Sequence, residues 1–342
     1  MPATKALTKT TNTGAITTRS ENSFLMFKEP EYVTGVQPFG TLQPLANGGD
    51  GGFFIKAETI NVCRWVTDKD DFEPDSVIWN HNHRFSNGQR DQGHFFIKPR
   101  LQVIHVSDIL IVEEGQDTKQ RIVGDFSKDE DGNYRYPDAV YAFELDKQEV
   151  IEGKRKQRRF NTRTKYLVRL LNKHNRPAHE APIVLTTKGL VSVEFNKHIS
   201  EFRKEMEKCL STYLDMMAMT FDKKFHVTTV FCPSLFVDNR GEQNVPVVCI
   251  EEFVHPLYTN KEEAFTSLSA LTIPDEDRIK AWEIMDDEYF KDYINFHSKQ
   301  DGAKLNGAYG ILDGVSLKPA DTITTVKALP SRNEITGEDA SL

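Results

Sequence analysis

From Phe24 to His255 the chain is written in short β-branched or aromatic runs separated by clusters of Gly, Pro, Asn and Asp. Such runs read as strands joined by turns. Too few helical patterns lie between them for βαβ units, so the pattern predicts an α+β fold. Its expected form is a mainly antiparallel, partly closed β barrel or sandwich carrying one packed amphipathic helix and a C-terminal helical appendage. "IVGDF", "AVYAFEL", "KYLVRLL", "PIVLTT" and "LVSVEF" are predicted strands. "TTKGL" predicts a hairpin turn at Lys188-Gly189, and "FVDNRGEQNVPVVCIEEF" a second hairpin with its loop from Asp238 to Asn244. "GGFFIKAETINV" and "GHFFIKPRLQVI", starting at Gly51 and Gly93, share Phe-Phe-Ile-Lys, but so short a word does not establish a duplication.

One segment breaks the β pattern. Over Asn196–Thr220 the apolar positions Ile199, Phe202, Met206, Cys209, Leu210, Tyr213, Leu214 and Met217 follow helical spacing. Met216, Met217 and Met219 at its end fit core filling or an adaptable binding surface, with core filling the preferred reading. After Pro256 two more helices are predicted, the second opened by Pro274 and three acidic residues against the positive helix end. The expected organisation is a flexible tail over 1–23, a β-rich core domain over 24–255, a helical appendage over 256–305 and a flexible tail over 306–342.

Charge is distributed unevenly. The 342 residues include 43 Lys and Arg against 51 Asp and Glu, a net charge of −8. That balance argues against indiscriminate coating of DNA or anionic membrane, yet permits a local basic site. "GKRKQRRFNTRTKYLVR" is such a site, and it continues to Lys173 and Arg176. Strand alternation places Thr164, Tyr166, Val168 and Leu170 on one face and Arg163, Lys165, Leu167 and Arg169 on the other. Two readings follow. In one, Lys154, Arg155, Lys156, Arg158, Arg159, Arg163, Lys165, Arg169 and Lys173 contact the phosphates of a single-stranded DNA or RNA on an OB-like sheet, with Phe160 as a stacking residue. In the other the segment is a solvated hairpin, paired with a strand from "AVYAFELDKQEVIEG" whose Glu144, Asp146, Glu149 and Glu152 neutralise part of the row.

Other constellations stay incomplete. His81, His83, Asp91 and His94 around "WNHNHRF" supply a partial donor set with no fixed third and fourth metal ligand. "DEDGNY" has its glycine at the wrong offset for a calcium loop and reads as an acidic turn. No nucleotide-binding glycine loop or nucleophile elbow is present. Cys63, Cys209, Cys232 and Cys249 form no C-x-x-C pair and read as reduced, buried thiols in a cytoplasmic protein. No apolar run is long enough for a membrane helix, so no membrane partner is expected. No cofactor is expected either.

The segments "GGFFIKAE", "FFIKPRLQVI", "RTKYLVRLLNKHNRPAHEAPIVLTTKGLVSVEFNKHISEFRKEM" and "FCPSLFV" resemble an uncharacterised family of cyanobacterial proteins known only as a domain of unknown function. The resemblance covers about Gly35 to Val254 and rests chiefly on Arg163 to Met206. It implies one architecture spanning the β region and the middle helix, and a cyanobacterial or cyanophage source, but brings no activity or site. The expected function is non-enzymatic nucleic-acid binding. The alternatives are an assembly protein that meets protein partners through its Met-rich helix and C-terminal helices, and an enzyme with an unrecognised site around the histidines.

Overall fold

The structure is a computed structural model that describes residues 39–47, 49–85, 88–114, 120–154, 157–217, 219–240 and 245–295. Both expected tails, 1–23 and 306–342, lie outside the described residues. The elements run β1 (Thr41–Asn47), β2 (Asp50–Lys56), α1 (Ala57–Val62), β3 (Val77–Arg84), β4 (Arg90–Phe96), β5 (Leu101–Val106), β6 (Leu110–Glu114), β7 (Gln120–Asp125), α2 (Pro137–Ile151), β8 (Phe160–Leu170) and β9 (Ile183–Lys188). They continue with α3 (Leu190–Tyr213), α4 (Lys223–His226), β10 (Val230–Phe231), β11 (Pro233–Arg240), β12 (Val245–Phe253), α5 (Lys261–Ala270), α6 (Asp275–Asp286) and α7 (Glu288–Ile294).

The fold is α+β, built on one large sheet in the order β10-β5-β8-β9-β1-β2-β11-β12. The β6–β7 pair adds beside β8 and the β3–β4 pair beside β2. Pairing is antiparallel except between β1 and β9. The sheet is open, not a closed barrel. Helix α3 covers the apolar face that closure would have buried: its Phe195 and Phe202 pack against Phe53, Tyr166, Phe231 and Phe253. The two Phe-Phe-Ile-Lys words turn out to be partners. Strands β2 and β4 pair antiparallel with Phe53 opposite Phe96, in the main core, and Phe54 opposite Phe95, on the other face beside His81.

Three segments depart from their predicted form. "AVYAFELDKQEVI" is not the strand partner of the basic segment but helix α2, with Pro137 in its first turn and Val140, Phe143 and Asp146 buried at a spacing of three. Lys188-Gly189 is not a hairpin turn. Gly189, at φ +56°, turns β9 into α3, and "LVSVEF" forms the helix's first turns. Helix α3 ends at Tyr213, not Thr220, leaving Met216, Met217 and Met219 exposed, so the preferred core-filling role does not hold for them.

The predicted pairing of β11 with β12 is present, closing at Arg240 opposite Val245. The expected helices after Pro256 are present as α5, α6 and α7, and Leu271, Ile273, Ala281, Ile284, Met285 and Ile294 join the same core as Tyr166, Leu167 and Phe231. All four cysteines are buried and free. Among the described residues no helix is long and apolar enough to cross a membrane.

Candidate functional site

Strand β8 sits between β5 and β9, with β6 alongside its first half. The first half of β8 is largely half-buried, while its second half, from Tyr166 to Leu170, is buried on both faces, and this divides the basic segment. Its ten residue steps span roughly 33 Å, and the bases fall into two groups at opposite ends.

At the near end, Lys154 is exposed with its Nζ 2.5 Å from Glu152. Arg155 and Lys156 lie outside the described residues. Arg158 is exposed. The Arg159 guanidinium pairs with Glu113 and lies 5.4 Å above the Phe160 ring. The amides of Arg159 and Phe160 both donate to Oδ2 of buried Asp146, at 2.7 and 3.1 Å. Phe160 itself packs on a small core of Ile111, Val140 and Phe143, so its ring is not the free stacking platform expected of it. Half-buried Arg163 approaches Glu114 at 3.9 Å, and burial lowers its pKa from the ordinary arginine value. Lys165 is also half-buried.

At the far end the predicted wet face is absent. Arg169 is 1 % exposed, one of the largest fully buried side chains in the protein. Lys173 donates to the Asp70 carbonyl at 2.6 Å, and Arg176 pairs with Glu276 at 2.5 Å. The described bases therefore do not form one exposed row.

The far end is instead a pocket of about 470 Å³, within the range of ligand sites. Val66, Thr67 and Asp71 close it on one side. The turn from Asn172 to Glu180 closes it on a second, and Asp277 and Lys280 of α6 on a third. Arg169 lines it with none of its guanidinium nitrogens hydrogen-bonded, and Oδ2 of Asp277 is likewise buried without a partner. Burial pulls the Arg169 pKa down to about 10, with the Asp277 charge opposing it. Asn172 shapes the turn, its Oδ1 accepting from the amides of His174 and Arg176 at 3.0 Å each. Asn172 and His179 were not singled out from sequence, and Asp277 was read only as one of the three acidic residues at a helix start. The available signal was the word "VRLL", an arginine set among residues that all belong in a core.

The histidine group does not assemble a donor set. His81 and His83 share a face of β3 with ring centroids 5.9 Å apart, both packed at 6.0 Å from Phe54. Asp91 is held by Lys56 at 2.5 Å, which keeps its pKa below the usual carboxylate value. The His94 ring meets Trp79 edge-on at 4.5 Å. No group of three potential metal donors occurs among the described residues. "DEDGNY" forms the expected turn, with the Asn133 amide donating to Oδ1 of Asp129 at 2.8 Å.

Comparison with known proteins finds similarity to uncharacterised ones. Residues 148–284 match the model of a domain of unknown function (DUF5895), a span that holds β8, the far-end turn and α6 through Ile284. The match begins later than the resemblance read from sequence and runs beyond it, into the helices after Pro256. The chain is also 24% identical over 204 residues to Uncharacterized protein 254L of Invertebrate iridescent virus 6, covering 56% of this chain and 55% of that protein. The chain thus spans about half the length of that relative.

Proposed function

We propose that this protein is a non-catalytic binder of an extended polyanion, single-stranded nucleic acid being the class that its exposed cations suit. One observation carries the reading. Lys154, Arg158 and Arg159 stand exposed within six residues at the corner where α2 hands over to β8, and Asp146 pins the main chain beneath them. Their pairings with Glu152 and Glu113 are surface contacts. Such pairs contribute about 0–1 kcal/mol each, so arriving phosphates can exchange for them. The four unpaired thiols fit a reducing compartment such as the cytoplasm.

The test is a fluorescence anisotropy titration of a labelled single-stranded oligonucleotide across a salt series. Three phosphate contacts give a log–log slope of about −2. The triple change Lys154→Glu, Arg158→Glu, Arg159→Glu should abolish binding and leave thermal unfolding unchanged. A wild-type protein that ignores the oligonucleotide at low salt ends the reading.

A second reading, association with a protein partner, draws on Met217, 88 % exposed, beside the exposed Met216 and Met219. Flexible methionine clusters suit adaptable apolar contacts. Sedimentation velocity and pull-down with wild type and a Met216→Ser, Met217→Ser, Met219→Ser variant test it. Identical partner profiles would remove it.

A further inference from the structure

We propose that the pocket at the C-terminal end of β8 binds an oxyanion that carries its own O–H, a hydrogen phosphate or a phosphomonoester, between Arg169 and Asp277. The inference is independent of the polyanion reading, since this pocket lies roughly 30 Å along β8 from the exposed corner.

The argument is one of elimination among the lining groups. Asp71 accepts from the amide of Asp68 at 3.0 Å. Glu180 pairs with Arg64 at 3.0 Å, and Arg176 with Glu276. Both ring nitrogens of His179 are engaged, one by the Leu170 amide and the other by the Ala181 carbonyl. Two buried lining groups then stay unmet: the guanidinium of Arg169 and Oδ2 of Asp277. No ion pair joins them, so each lacks a partner although its opposite charge is nearby.

A buried guanidinium is a fork of donors that demands acceptors, and phosphate oxygens match its geometry with two parallel bonds. A buried carboxylate oxygen demands a donor. A fully deprotonated anion satisfies Arg169 but meets repulsion from Asp277. An oxyanion with one O–H satisfies both, accepting from Arg169 and donating to Asp277. The pocket's 470 Å³ leaves room for an organic group on the phosphate, with Lys280 and His174 also among its lining residues.

Isothermal titration of the full chain with inorganic phosphate and with sulfate, at matched ionic strength near neutral pH, tests this. Phosphate retains an O–H there and sulfate does not. Phosphate should titrate to one site, with sulfate about tenfold weaker or worse, because sulfate leaves Asp277 without a donor. Arg169→Met should abolish phosphate binding while leaving unliganded stability equal or higher, since it removes an unpaired buried charge. Asp277→Asn should bring the two affinities within about threefold, its amide donating to either anion. If Arg169→Met does not fold, the Asp277→Asn comparison carries the test alone. The proposal is overturned by no phosphate binding in the wild type, by equal phosphate and sulfate affinities there, by phosphate binding that survives Arg169→Met, or by a preference unchanged in Asp277→Asn. Binding of glycine in place of phosphate would also overturn it, by showing a site for a zwitterion.

Discussion

The amide of Leu170 donates to Nε2 of His179 at 2.9 Å, while Nδ1 of the same ring donates to the Ala181 carbonyl at 2.7 Å. These two bonds fix one neutral tautomer and tie the turn after β8 back to the strand. Trp65 stacks on the ring at 5.9 Å, and the side chain is wholly buried. Burial pushes the His179 pKa from 6.5 down to about 4. The unfolded chain therefore binds a proton through this window that the folded protein refuses. The neutral ring's contribution is complete above about pH 6.5 and is lost as pH falls towards 4, amounting to about 3 kcal/mol. Urea unfolding at a series of pH values should show His179→Gln less stable than wild type near neutrality, with the gap closing by pH 4. A gap independent of pH would mean that the ring is not held neutral.

Gly93 faces Lys56 across the β2–β4 pair, and a Cβ placed on it would lie 1.9 Å from the Ile55 carbonyl oxygen. That atom is backbone and cannot swing aside. Gly93→Ala is expected to cost about 3 kcal/mol by forcing the two strands apart. Gly49→Ala, where nothing lies within 4 Å, should stay within about 0.5 kcal/mol of wild type. Thermal unfolding of both variants checks the contrast, and equal melting temperatures would contradict the close approach.

The strand content was legible because β-branched and aromatic runs between turn residues have few other solutions. The failures have physical reasons. "AVYAFEL" satisfies a period of two as well as it satisfies a helix, and only the later burial of Asp146 with Val140 and Phe143 resolves it. Gly189 supplies a positive φ, which serves a hairpin turn and a strand-to-helix turn alike. Alternation placed Arg169 beside Arg163 and Lys165, but it cannot tell that β8 is central and that its second face is covered. Asp277, which lines the pocket together with Arg169, comes from α6, a relationship made only by tertiary packing. Sequence thus located the strand that carries the candidate site but not which end of it is enclosed.

Asp146 holds the basic corner in place through its two bonds to the amides of Arg159 and Phe160. Asp146→Ala strips both donors of this acceptor in a part-buried setting. It should cost about 2–3 kcal/mol. It should also weaken oligonucleotide binding, because the three exposed cations then occupy no fixed arrangement. Chemical denaturation and the anisotropy titration read the two effects separately. Unchanged stability would show that the carboxylate does not anchor the loop.

Asn175 joins the turn after β8 to the helices that complete the pocket. Its Oδ1 accepts from Nε of Arg100 at 3.0 Å, and its Nδ2 donates to the carbonyls of Ala270 and Thr272 at 2.9 Å each. Its backbone lies in the left-handed region at φ +60°, which asparagine tolerates better than most residues. Asn175→Ala loses every one of these side-chain bonds and strains the backbone, for an expected cost of about 2–4 kcal/mol. Asn175→Gly removes the same bonds and relieves the strain, so it should be the milder change. Because Asn175 binds the connection between α5 and α6, both variants should raise hydrogen exchange at the start of α6, where Asp277 sits. Exchange there unchanged from wild type, with stability intact, would show that the helical end holds its position against the sheet without this clamp.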